Sequence, residues 1–274
     1  MTGATNEQRH GRADLHVHSL ASDGTASVAE IIGHVERRAD LDVIAVTDHE
    51  RIDAAVAARS MARARGCRFE VVVGEEVTTR GGHLLALFIE RRIPPLLSLR
   101  ETVARVHEQD GLAIPAHPLV PFPLCASATA IRRLLAEPDP IYHPDALEVF
   151  NPTTTGRPWH GRVVAFARET GLAAVGSSDA HLVGAIGQGR TTFAGRTAED
   201  LRRAILARQT GWEGSFYPPR SLVVTFVSQL RKYGRDVRDE VRGALGRERT
   251  GRDLGYPGGR RRPAVFDARE LGRG

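Results

Sequence analysis

Cysteine is scarce. Cys67 and Cys125 are the two thiols in 274 residues, too few for a disulfide framework. Lysine is scarcer: Lys232 stands alone among 38 basic residues, which excludes a lysine Schiff base or a P-loop lysine from everything before it. Aromatic residues make up 5% of the chain, so a core of Ala, Val, Leu and Ile is expected. No apolar run approaches the roughly 20 residues of a membrane span. The N-terminal MTGATNEQRHGR lacks the apolar segment of a signal peptide. A cytoplasmic protein is the expectation.

Hydrophobic residues reach 41%, enough for one large α/β domain or two small ones. The net charge of +5 is unevenly placed. Residues 218–274 hold 14 Lys+Arg against 7 Asp+Glu, a net of +7. The remaining 24 against 26 give the main body a net of −2. Residues 1–12 are polar and read as a disordered tail. Residues 218–274 read as a basic extension, helical through about Leu245 and disordered from Arg247. The Leu222–Leu230 stretch could pack on the main body or on a partner.

Between these ends, residues 13–217 alternate apolar strand-like runs with amphipathic segments. Ala13–Ser19, Leu41–Thr47, Phe69–Val73, His83–Ile89, Leu112–Pro115, Ala146–Phe150 and Leu172–Gly176 read as strands. Ser27-Val-Ala-Glu30, Ser98-Leu-Arg-Glu101 and Thr197-Ala-Glu-Asp200 have capping-box spacing and open helices. Further helices are expected at Ile52–Arg65, 128–136 and Val163–Thr170. The alternation argues for a parallel α/β fold. A closed barrel is favoured over a doubly wound open sheet, because polar residues follow nearly every strand and a ring lets them converge.

Those polar residues are His16, His18, Asp23, His49, Glu76, His83, His117, Asp179 and His181. His16 and His18, two apart in a strand, share a face. A lone histidine at a strand end is usually structural. Six of the chain's eleven histidines at one end of successive strands are not readily explained that way, since buried polar groups are costly unless paired. Nitrogen and carboxylate donors suit zinc, manganese or iron, and nine ligands are too many for one ion.

His16-Val-His18 with Asp23, Thr47-Asp48-His49, Gly74-Glu75-Glu76, Ala116-His117-Pro118 and Ser178-Asp179-Ala180-His181 resemble, in order, the motifs of the PHP (polymerase and histidinol phosphatase) superfamily. Gly189-Arg-Thr-Thr192 extends the likeness to about residue 210. The resemblance implies a distorted (β/α)7 barrel, which the basic residues 218–274 would follow as a C-terminal extension. It implies a trinuclear metal centre, and two to three divalent or transition metal ions are the expected cofactors. The first ion would take His16, His18, Glu76 and Asp179, and the second Glu76, His83 and His117. The third would take Asp23, His49 and His181. The family's Gly-x-Glu spacing selects Glu76 over Glu75. Asp23, His49, Glu76, Asp179 and His181 are the expected catalytic residues, and Asp48 a candidate partner for a ligand histidine.

The implied activity is phosphoester hydrolysis by a metal-bridging hydroxide on a small phosphorylated compound, a nucleotide among the candidates. Relatives that take nucleotides carry a helical insertion between the strand matching His83 and the Ala-His-Pro strand. Here 33 residues separate His83 from His117, which argues against a nucleotide. Arg157, Arg190 and Asn151 are candidate substrate contacts. Ser177 and Ser178 lack a nucleophile-elbow context. The alternative is a nuclease or nucleic-acid processing hydrolase that grips a polyanion with the basic extension. The extension has few interleaved aromatics, so nucleic acid is not favoured as a partner. Oligomeric state is open.

Overall fold

The computed structural model describes residues 10–153 and 156–218. The expected tail up to residue 9 and the basic extension from 219 lie outside the described residues. The strands are β1 (His10–Val17), β2 (Val43–Val46), β3 (Glu70–Thr79), β4 (Gly82–Leu87), β5 (Leu112–Pro115), β6 (Ala146–Phe150), β7 (Ala173–Gly176), β8 (Gly189–Ala194) and β9 (Gly211–Gly214). The helices are α1 (Val28–Arg38), α2 (Asp53–Ala64), α3 (Leu99–His107), α4 (Ala128–Leu135), α5 (His160–Thr170) and α6 (Ala198–Leu206). All three capping boxes form, on α1, α3 and α6, each with reciprocal side-chain and backbone bonds. Gly171 ends α5 at φ +66°, a left-handed position that glycine adopts without cost.

Seven strands form one curled sheet in the order β5-β4-β3-β2-β1-β8-β9, and β6 and β7 form a parallel pair of their own. This is a half-barrel with a two-stranded piece across its open side, not one continuous ring. The two seams are stitched partly by side chains. Between β5 and β6, Asp145 N donates to Ala113 O (2.9 Å) and Ala113 N to Asp145 Oδ2 (2.7 Å). Between β7 and β8, Gly176 N donates to Thr191 Oγ1 (3.0 Å), whose hydroxyl donates to Gly176 O (2.8 Å).

The strands are not all parallel, as the alternation suggested. β1, β2 and β3 are, but β4 runs antiparallel to β3, and β8 antiparallel to β1. The cause at β4 is a two-residue turn, Arg80-Gly81, leaving no chain for a crossover. β1 starts at His10, ahead of the expected Ala13, because His10–Ala13 pair with Thr191–Ala194 of β8.

Three apolar clusters result, one of them formed by Val77, Leu84, Ala86, Leu147 and Val149 against α3, α4 and α5. Val17, Ile44, Val46, Val71 and Val73 pack against α1 and α2. Ala13, Leu15, Val43, Ala45, Val72, Leu85, Ile114, Val175 and Phe193 fill the interior, with Leu201 and Ile205 of α6 joining them. Past β9 the chain returns over the loops after β6 and β7. Tyr217 N donates to Pro152 O (2.9 Å) and its hydroxyl to Ser178 O (2.6 Å). Among the described residues no helix is long and apolar enough to cross a membrane.

Candidate metal centre

The site begins with an irregularity in β1. Ala13 pairs with Val43, Asp14 with Ile44, and Val17 with Val46, so β1 carries one residue more than β2 over that span. The bulge resets the alternation. Leu15 faces the interior, Val17 faces α1 and α2, and His16 and His18 both turn inward at the rim. The loop after β7 docks on this end: His18 N donates to Ala180 O (3.0 Å) and Ala180 N to His16 O (3.1 Å). That brings Asp179 and His181 beside the two histidines. On the other side His49 bridges to Glu76 in strand fashion. Because β4 runs backward, its first residues lie at the same rim, and His83 joins the group.

Glu76 stands at the centre. Its Oε2 lies 3.1 Å from His16 Nε2 and 3.3 Å from both His18 Nε2 and His49 Nε2. Its Oε1 lies 2.7 Å from His83 Nδ1 and 3.1 Å from His117 Nε2. Five imidazoles close a ring about this carboxylate, with successive centroids 4.3–6.0 Å apart once His181, stacked on His18, is included. Glu75, on the opposite face of the strand, accepts from Ile93 N at 2.8 Å, away from the cluster. Asp23 Oδ2 is 2.9 Å from His181 Nε2 and 3.8 Å from His49 Nε2. Asp179 Oδ1 is 3.3 Å from His18 Nε2 and 3.5 Å from His16 Nε2. All nine sequence-selected residues therefore meet at one rim.

Donor atoms within 4.8 Å of one another fall into three groups: His18, Asp23, His49 and His181; His16, His18 and Asp179; His49, Glu76 and His83. This partition differs from the one the resemblance implies, since His18 also joins Asp23 and His49 also joins Glu76.

Two site residues sit on strained backbone. Asp179 has φ +51° and His117 φ +31°, conformations that cost a non-glycine residue on the order of 1 kcal/mol. The electrostatics are lopsided in the same place. Burial alone would lower the histidines, but the carboxylates of Asp179 and Glu76 outweigh it. They hold His16 well above its ordinary value and raise His18 to about 10. Burial would raise Glu76 and Asp179, yet His16 and its neighbours hold both well below the usual carboxylate range. His49 is lowered, by burial first. The buried carboxylates demand positive charge in their midst.

A second layer of carboxylates, absent from the sequence reading, orients the first. Glu148 in β6 accepts from His16 Nδ1 (3.0 Å) and Ser177 Oγ (2.5 Å) on one oxygen, and from His117 N (2.5 Å) and Asn151 Nδ2 (3.2 Å) on the other. Asp14 accepts from Ser178 N (2.9 Å), Ser178 Oγ (2.5 Å) and Gly187 N (2.7 Å), and burial pushes its carboxyl up to about 6. The available signal was a charged residue inside an otherwise apolar strand, Ala-Leu-Glu148-Val-Phe.

The remaining candidates are placed otherwise. The Asp48 carboxylate bonds to serines rather than to a histidine of the cluster. It accepts from Ser19 N, Ser19 Oγ, Ser22 N and Ser22 Oγ, and so shapes the turn that carries Asp23. Asn151 Nδ2 donates to Asp179 Oδ2 (3.2 Å) as well as to Glu148, so it braces the cluster. Arg190 is drawn off by Glu213 (Nε to Oε1, 3.0 Å) and does not join the cluster. Arg157 is exposed and lies over the Phe216 ring at 5.5 Å. A cleft of about 270 Å³ opens over the cluster, with His49, Glu76, His83, His117, Asp179 and His181 at its base.

A family model described as PHP-associated matches residues 157–210. Over 121 residues the chain is 34% identical to the uncharacterized protein MJ1587 of Methanocaldococcus jannaschii, covering 40% of this chain and 69% of that one. It is 30% identical over 105 residues to a 5′-3′ exoribonuclease of Haemophilus influenzae, covering 37% of each. Its fold matches a two-domain protein of Bacteroides vulgatus containing a predicted PHP-like metal-dependent phosphoesterase. The TM-score is 0.62 at 16% identity, over 81% of this chain and 70% of that one.

Proposed function

The chain belongs to the PHP superfamily, and from that premise we propose that it is a metal-dependent phosphoesterase acting on a small phosphorylated compound. The observation that carries this reading is the environment of Glu76. His16 Nε2, His18 Nε2 and His83 Nδ1 are buried and make no hydrogen bond, although carboxylate oxygens stand 2.7–3.5 Å away. Imidazole nitrogens and carboxylates aimed at common points, and left unsatisfied by one another, are the donor set of zinc, manganese or iron.

His16, His18, Asp23, His49, Glu76, His83, His117, Asp179 and His181 would hold two to three such ions, with Glu76 shared. Bound there, the ions would supply Lewis acidity and a water acidic enough to attack phosphorus near neutral pH. The chain's part is to fix the donors. Glu148 keeps the His16 Nδ1 proton in place, leaving Nε2 free to coordinate. Asn151 holds one Asp179 oxygen and leaves the other facing His16 and His18. Strained backbone at Asp179 and His117 points both side chains inward.

Hydrolysis of a phosphomonoester panel by metal-analysed protein tests the reading. Chelation is expected to abolish turnover and added manganese to restore it. His49→Ala and Asp179→Ala should each lower kcat by more than about a hundredfold. A metal-loaded wild type no faster than these variants on any phosphoester would overturn it.

The likeness to an exoribonuclease favours a second reading, hydrolysis at a polynucleotide end with the arginine-rich residues 219–274 gripping the polyanion. RNA binding that falls steeply with salt and is lost on removing that segment would support it. Unchanged turnover of small esters by the same truncation favours the first.

A further inference from the structure

The cleft has two unlike walls. The base is the ring of imidazoles and carboxylates. The side wall is the loop after β5, which presents Val120, Phe122, Leu124 and Cys125, with Thr153 and Gly156 facing them. Phe122 and Leu124 are 61% and 48% exposed. They are two of the four large hydrophobic side chains left exposed among the described residues. Exposed apolar side chains gathered at one concave place mark a binding surface.

The loop is not slack. Leu119 N donates to Ala126 O (2.9 Å), Phe122 N to Val120 O (2.8 Å), Cys125 N to Phe122 O (3.1 Å), and His83 N of β4 to Leu124 O (2.9 Å). The bond from His83 ties the apolar wall to a residue of the cluster itself. Charge at the wall is equally telling. Among the described residues the cleft is lined by no arginine or lysine, since Arg190 is engaged by Glu213 and Arg157 lies over Phe216.

A phosphomonoester has one doubly charged end and one end of whatever the alcohol is. The cluster and its ions suit the first. The second meets aliphatic and aromatic carbon with no cation for another anionic group. At about 270 Å³ the cleft lies just below the usual range of ligand pockets, about 300 to 1,000 Å³. We propose that the substrate is a monophosphate ester whose alcohol carries one flat apolar ring, seated against Phe122 and Leu124, and that it bears no second phosphate. This rests on the phosphoesterase reading for the phosphate end and adds the class of the leaving group.

The test is binding, not turnover. Calorimetry on the full chain loaded with manganese compares phenylphosphonate with methylphosphonate, in wild type and in Phe122→Ala/Leu124→Ala. Phe122 is mostly exposed and Leu124 about half exposed, neither belonging to the buried core, so the variant is expected to keep the fold. The wild type is expected to bind the phenyl compound at least about tenfold tighter, and the variant to lose that advantage. Equal affinities, failure of both to bind, or a preference that survives in the variant would overturn the proposal. So would displacement of phenylphosphonate by adenosine 3′,5′-bisphosphate about tenfold better than by adenosine 5′-monophosphate. Turnover of phenyl phosphate is measured separately. A phenyl preference in a protein that turns over neither phenyl phosphate nor any ester of the phosphomonoester panel supports the apolar wall and defeats the hydrolase reading.

Discussion

Glu148 shows how a residue can govern a site it does not enter. Its two oxygens receive donors from His16, Ser177, His117 and Asn151, so one carboxylate aligns three strand ends. Glu148→Gln keeps the shape but replaces an acceptor with an NH2 group, which faces either the His16 proton or the His117 amide. A loss of metal affinity of about ten- to a hundredfold is expected in a chelator titration. An affinity equal to wild type would remove Glu148 from the account. The nine rim residues were legible because they gather at the ends of apolar runs or in the turns beside them. Glu148 and Asp14 were not, because they lie inside such runs and their partners are up to 173 positions away. The pairing of Arg190 was hidden for a similar reason. Glu213, which pairs with it, sits on β9, a strand with little apolar signature.

At the scale of the element, caps were the most legible feature, since a capping box is written within four consecutive residues. Strand direction was not. A tight turn at Arg80-Gly81 and a crossover helix both follow an apolar run, and only the pairing of β4 with β3 distinguishes them. The bulge in β1 was equally hidden, being a mismatch of count between two strands rather than a pattern in one. Gly82, where β4 begins, has φ +122°, and a Cβ there would meet Ala126 N at 2.3 Å and other backbone atoms of the cleft loop within 2.8 Å. Gly82→Ala should cost about 2 kcal/mol or more in thermal unfolding. It should also speed chymotryptic cleavage after Leu124. A variant as stable and as resistant as wild type would mean that the loop does not lean on β4.

The whole molecule is held at its seams by few contacts, and one of them titrates. His107 at the end of α3 has Nδ1 2.7 Å from Ile141 O and Nε2 2.9 Å from Asp145 Oδ2, the same oxygen that accepts from Ala113 N across the β5–β6 seam. Two acceptors call for two ring protons. Burial lowers this imidazole, but Asp145 and the Ile141 carbonyl outweigh it, and it is raised. A raised histidine contributes stability that is whole below its unfolded value and fades as pH climbs through the folded one. Chemical denaturation should therefore show wild type losing about 1–2 kcal/mol more than His107→Gln between pH 6 and pH 9. A steeper loss in the variant would reverse the assignment. Tyr217, clasping Pro152 and Ser178, bears on where the protein can be cut or extended. A chain stopped short of it leaves two carbonyls beside the rim without donors. An oligohistidine handle fused just past it would hang next to the cluster and offer it surplus imidazoles. The same handle placed ahead of His10 enters at the far end of β1, a strand's length from any of them.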